Sequence, residues 1–187
     1  MFNRNFWGLI CLLGLTWSLI QAKAETSASG KGGPFISLHG TPVSEFDANL
    51  KGSPLVLGGS GVGLASRNFK LGGSGGAGFL WNPSQNIEFG MGYGGILGEY
   101  TLTNWLNIRL IIGGGGYAIA KITDETQSSR TVEKLASGGF FLFLPSINAD
   151  IPINNVVKLS LGLGYFLPNV SKLQSVVFTL ALNIGKS

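Results

Sequence analysis

Two segments near the C-terminus alternate between apolar residues and mostly small or polar ones, and this restricts the chain more than any other feature. In Val156 to Leu167, VVKLSLGLGYFL, the residues Val157, Leu159, Leu161, Leu163, Tyr165 and Leu167 interleave with Val156, Lys158, Ser160, Gly162, Gly164 and Phe166. In Ser175 to Gly185, SVVFTLALNIG, the residues Val176, Phe178, Leu180, Leu182 and Ile184 interleave with Ser175, Val177, Thr179, Ala181 and Asn183. A period of two belongs to a β-strand, whose successive side chains leave opposite faces, and conflicts with the 3.6-residue period of a helix. The intervening PNVSKLQ is turn chemistry, so the two segments form a hairpin.

The same period recurs upstream. Ile87 to Gly98 separates Ile87, Phe89, Met91, Tyr93 and Leu97 from Glu88, Gly90, Gly92, Gly94 and Gly98, with Ile96 as the exception. Leu106, Ile108, Leu110 and Ile112 alternate with Trp105, Asn107, Arg109 and Ile111 before the run Gly113 to Gly116, where the pattern softens. Pro34 to His39, Leu55 to Ala65, Phe69 to Leu80 and Leu135 to about Ile151 are the remaining strands, the last bent or interrupted at Pro145. Ser66-Arg67-Asn68, Trp81 to Asn86, Thr101 to Asn104, the polar TDETQSSRT and Asn154-Asn155 separate them as turns or loops. The expected fold is all-β: a single antiparallel up-and-down barrel of about eight strands. The 30 glycines support this, because each costs about 1 kcal/mol relative to alanine inside a helix.

The opening MFNRNFWGLICLLGLTWSLIQAKA carries Arg4, an apolar run from about Phe6 to Ile20, and Ala22-Lys23-Ala24 as a cleavage site. It is expected to be a secretory signal peptide, residues 1–24, cut after Ala24. Residues 25–33 are expected to be a flexible leader and 34–187 the barrel domain. Cys11 lies in the apolar run behind Ile10, so the processed chain has no cysteine and neither disulfides nor thiolate chemistry. Removing Arg4 and Lys23 from 13 basic residues leaves 11 against 9 acidic ones, too balanced for a nucleic-acid partner. With 44% apolar and 12% charged residues the chain is far from a disordered composition.

Motifs that resemble catalytic or binding signatures fail on context. FGMGYGG (89–95) and Gly73 to Gly78 both match GxGxxG, but a dinucleotide fingerprint needs its glycines on a strand-to-helix turn, and both lie within strand-like runs. No nucleotide is expected. The terminal Gly185-Lys186-Ser187 echoes a P-loop, yet Leu180 stands where its first glycine is needed. His39 is the one histidine, which excludes a histidine metal cluster and leaves a catalytic triad without a pattern. No catalytic residue, metal or cofactor is assigned.

A meander with one apolar face turns that face either toward another sheet or toward lipid. A soluble barrel carries charge on its water-facing side, whereas the opposite face here is dominated by Gly, Ser, Ala and Asn, with Glu88, Arg109, Lys158 and Lys70 as exceptions. Glu88, Arg109 and Lys158 are candidates for an interior polar cluster, since charges in a narrow lumen must pair. Trp81, Tyr100, Trp105, Tyr117 and Phe166 are candidates for interfacial girdles.

The chain resembles the small outer-membrane β-barrels of Gram-negative bacteria, best in FFLFLPSINADIPINNVVKLSLGLGYFLP followed by SVVFTLALNIGKS. Members usually close the last strand on an aromatic residue and carry more lumen charge; this chain ends Ile184-Gly185-Lys186-Ser187. The resemblance implies a non-enzymatic outer-membrane protein with a structural, adhesive or envelope-protective role. Its partners would be outer-membrane lipid and an envelope or extracellular partner met by loops such as the one bearing Asp124, Glu125 and Arg130. The alternative is a soluble exported barrel or sandwich, periplasmic or secreted, that binds an apolar ligand.

Overall fold

Each alternating segment is a strand, and the strands close on themselves. A computed structural model describes residues 30–40, 52–82, 86–126 and 129–185. The strands are β1 (Gly30–Gly40), β2 (Leu55–Leu64), β3 (Phe69–Asn82), β4 (Ile87–Thr101), β5 (Leu106–Thr126), β6 (Ser129–Pro152), β7 (Val157–Pro168) and β8 (Ser175–Gly185). They form an antiparallel closed barrel in sequence order, sealed where β1 meets β8 with Phe35 opposite Ala181. Closure removes the unpaired edges an open sheet would present.

The connections define two unlike ends. At one, four-residue turns at 65–68, 102–105 and 153–156 join the strands, and both β1 and β8 terminate there. At the other lie the connection from β1 to β2, a four-residue connection between β3 and β4 at 83–86, a short 3-10 turn at Ser171–Leu173 between β7 and β8, and a projecting hairpin. That hairpin corrects the expected loop at TDETQSSRT. β5 continues through the four glycines and pairs with β6 out to Thr126 and Ser129, with bulges on the way. β7 stops at Pro168 opposite Leu142, so β6 from Ser129 to Phe141 stands above it. Asn169 caps the junction: its N–H donates to the Phe141 carbonyl (3.1 Å) and its Oδ1 accepts from the Phe141 N–H (2.9 Å). Within the expected leader, Gly30 to Gly33 are paired strand of β1, while residues 25–29 and the expected signal peptide lie outside the described residues.

Strand parity fixes which side chains enter the barrel. In β7 and β8 the outward set is the apolar one: Leu161, Leu163, Phe178 and Leu180 are all exposed, while Ser160, Phe166, Val177, Ala181 and Asn183 are buried. β4 is reversed. Ile87, Phe89, Met91, Tyr93 and Leu97 point inward and their glycine partners outward. Room for the reversal comes in part from glycine at facing inward positions: Met91, Tyr93 and Leu97 stand opposite Gly78, Gly76 and Gly72 of β3, and Tyr93 also opposite Gly115 of β5, whereas Phe89 stands between Leu80 and Ile119.

Two glycines of opposite orientation illustrate the division. A Cβ on inward Gly76 would lie 2.8 Å from Val56 Cγ1 and 3.3 Å from Phe35 Cζ, whereas on outward Gly94 its nearest neighbour is the Ser74 carbonyl at 3.8 Å. Gly76→Val is therefore expected to cost about 1–3 kcal/mol through overpacking, and Gly94→Ala to stay within about 0.5 kcal/mol. Urea titration of the refolded protein checks both; equal effects would contradict this packing.

Candidate functional site: the barrel interior

The interior has two halves of opposite chemistry. Antiparallel pairing brings the starts of odd strands and the ends of even strands to the short-turn end, and inward parity there selects charged residues. Lys31, Lys70, Glu99, Arg109 and Asp150 are all buried, at 7% exposure or less. Lys31 Nζ lies 2.6 Å from Asp150 Oδ2 and 3.0 Å from Glu99 Oε1; Arg109 donates from Nε to Glu99 Oε2 at 2.7 Å; Lys70 Nζ stands 3.7 Å from Glu99 Oε1. Asn107 donates to Asp150 Oδ2 at 2.9 Å. Asn183 donates to the Ser160 hydroxyl, which in turn donates to Asp150 Oδ1.

This network joins every strand except β2. Burying charges costs several kcal/mol per ion, offset only where partners and hydrogen bonds are complete. Each of the two carboxylates meets several donors, although Glu99 Oε1 meets Lys31 and Lys70 as ion pairs without a hydrogen bond, and the network blocks this end of the lumen.

The other half is apolar. Phe35, Val56, Phe89, Met91, Phe140, Leu142 and Phe166 form the core there, with Leu173 of the 3-10 turn packed on top. His39 is buried among rings, 5.0 Å from Phe166 in an edge-on arrangement and 6.4 Å from Tyr93. Its Nδ1 lies 3.4 Å from Ser175 Oγ, a long contact. Among the described residues the inward carboxylates Glu99 and Asp150 sit at the opposite end of the lumen from this Ser–His pair, and His39 is 2% exposed. Among the described residues no group of His, Cys, Asp and Glu is placed to hold a metal ion.

Of the residues expected from sequence, Arg109 joins the network through its bond to Glu99. Lys158 lies on the same inward register, opposite Asn183, and is half-buried near the rim. Glu88 does not join them: it pairs with outward Trp81, between inward Ile87 and Phe89, on the outer wall. The reason is the reversal of β4. Trp81, Tyr100 and Trp105 are exposed on the outer surface near strand ends. Tyr117 and Phe166 are corrections. Phe166 is fully buried and contacts Phe140 and His39, and Tyr117 packs against the interior core. Parity along β7 already put Phe166 with Lys158 and Ser160, away from the lipid-type face. The side chains of Asp124, Glu125 and Arg130 lie outside the described ones.

Lys31, Glu99 and Asp150 were missed, although one signal pointed to Glu99. It shares parity with Ile87, Phe89, Met91, Tyr93 and Leu97, and a carboxylate on that face is incompatible with its facing lipid. Both GxGxxG matches lie inside strands paired to each other, Gly73 opposite Ile96 and Gly78 opposite Met91. Their N–H groups belong to sheet ladders and no helix follows them.

Fold and interior together define an eight-stranded antiparallel barrel with a filled lumen and an apolar outer wall, the architecture of the barrels this sequence resembles. No protein-family model and no curated protein matches the chain. Solved structures do. The attachment invasion locus protein Ail of Yersinia pestis is similar at 14% identity over 84% of this chain and 95% of that one, with a TM-score of 0.48. Neisserial surface protein A is similar at 9% identity over 83% and 95%, with a TM-score of 0.49. The likeness is one of overall fold.

Proposed function

We propose that this chain spans the outer membrane of a Gram-negative envelope as a closed, non-conducting barrel with a structural, adhesive or envelope-protective role, after loss of residues 1–24 as a signal peptide. The observation that carries this reading is the outer wall. Ile36, Leu57, Leu71, Phe79, Ile96, Ile147, Leu163 and Phe178 are among the many large apolar side chains exposed there. A soluble monomer rarely exposes a contiguous apolar patch above roughly 600 Å². On β3 the outward aromatics Phe69 and Trp81 mark the two ends of the belt. Twelve residues at about 3.3 Å each, tilted about 40°, give a height of about 30 Å, that of a bilayer's hydrocarbon core. Trp105 and Tyr100 lie at the short-turn end and Trp81 and Tyr165 nearer the other, as interfacial anchors.

The filled interior argues against passage of solutes and against a soluble barrel with an internal apolar ligand. Short turns belong on the periplasmic side of such proteins and longer loops outside, which directs the β5–β6 hairpin outward, where a partner would meet it. The expected result is retention in the outer-membrane fraction, extraction only by detergent, heat-dependent mobility on gels, and a purified N-terminus at Glu25. Recovery of folded protein from the aqueous extract would overturn the membrane reading; an N-terminus still at Met1 would overturn the signal-peptide part.

A further inference from the structure

Between the ionic and apolar halves lies a cavity of about 40 Å³. We infer that this chamber is a binding site for a small monovalent anion of the halide class, held by Arg109 and a ring of hydroxyl and amide groups. Three independent observations lead there. The first is size: one water needs roughly 10–15 Å³ on this measure, so the chamber takes about three water-sized occupants, or one halide with a water or two, and excludes a bulky organic ion.

The second is lining chemistry. The chamber is faced by Arg109, Ser60, Ser74, Ser146, Asn148 and Thr179, while neither Glu99 nor Asp150 reaches it. All six side chains carry donors. Ser146 already accepts from Asn148 Nδ2 at 3.0 Å, and a hydroxyl that accepts one bond still has its own proton to give. Apolar neighbours such as Phe35, Leu97 and Leu144 complete the wall. A guanidinium, several O–H donors and an apolar remainder suit a weakly hydrated anion and offer no carboxylate to a cation.

The third is charge balance. Among the described residues the buried charges are Lys31, Lys70 and Arg109 against Glu99 and Asp150, three cations to two anions. Both carboxylates are shared by several donors, so one positive charge of the interior lacks an equivalent, and Arg109 is the cation that touches both the network and the chamber. An uncompensated buried charge costs several kcal/mol, and an anion in the chamber removes that cost. The site bridges the two halves of the lumen and acts as an internal counterion to the network.

Salt-dependent stability of the full chain refolded in detergent micelles tests this. In 100 mM sodium chloride or bromide the unfolding equilibrium constant is expected to be about tenfold lower than in sodium gluconate of equal ionic strength, the effect of a site with a Kd of about 10 mM. Ser74→Ala combined with Thr179→Val, which leaves every ion pair intact, is expected to reduce that ratio to within about twofold of unity. Should the double variant fail to refold, the unaltered protein decides the matter. Crystals grown from bromide are expected to show an anomalous peak in the chamber within hydrogen-bond distance of Arg109. Equal stability in halide and gluconate, a halide effect undiminished in the double variant, or a chamber without bromide would each overturn the assignment.

Discussion

Replacing Leu161 by arginine is expected to destabilise the protein in a lipid bilayer by about 2–4 kcal/mol, the cost of a basic side chain facing lipid near mid-membrane. Leu161 is 48% exposed and pairs with exposed Leu180 in the middle of the β7–β8 ladder. In a water-soluble barrel the same change would put a charge on a solvated surface and stay within about 0.5 kcal/mol. Two environments thus assign effects of different size to one substitution. Urea titration of protein refolded into vesicles measures it, with Tyr100→Arg at the belt edge as the depth control, expected at about 0–1 kcal/mol. A loss of similar size at both positions would show that membrane depth is not what these residues sense.

Removing the Glu99 charge as Glu99→Gln is expected to cost about 3–5 kcal/mol, because it leaves Arg109 and Lys31 buried beside a neutral group. Glu99 is fully buried and lies within 3.7 Å of three cations from three other strands. The penalty belongs mainly to the stranded cations. Adding Arg109→Met is therefore expected to recover part of the loss, and a double-mutant cycle should give a coupling of about 0.5–3 kcal/mol. Additive losses would indicate that the two side chains do not interact. With the anion chamber as inferred, Arg109→Met also abolishes the halide effect.

The two halves of the candidate site were unequally legible. Arg109 and Lys158 break a run of small and apolar residues at inward parity, which made them readable from alternation alone. Glu88 obeyed the same rule and lies outside, because the rule needs the orientation of the strand and not merely its period. Asp150 follows Pro145, which obscured the period of β6, yet β6 runs unbroken through Pro145 opposite Leu110. A proline inside a strand removes one N–H from the ladder, and the remaining pairs held the register. Lys31 lay in SASGKGG, where glycine and serine resemble linker; partners on both sides, Val62 and Gly185, make it strand.

The glycines follow the same logic. Gly59, Gly75, Gly94 and Gly114 lie side by side across four strands on the outer wall, while Gly58, Gly76 and Gly115 face inward against Phe35, Val56 and Phe140. FGMGYGG thus has Phe89, Met91 and Tyr93 inside the barrel and its alternate glycines outside.

By itself the sequence determined the all-β class, the number and approximate span of the strands, the antiparallel order, and the apolar outer face of β7 and β8. Those properties are local: period, turn chemistry and glycine content act within about ten residues. Only the tertiary structure decided which face of β4 points inward, that five buried charges from five strands meet at one end, and that β5 and β6 extend past the wall as a hairpin. A strand's alternation is unchanged when the strand is turned over. Its orientation is set by what the other seven strands place opposite it, namely inward glycines that leave room and distant charges that need partners.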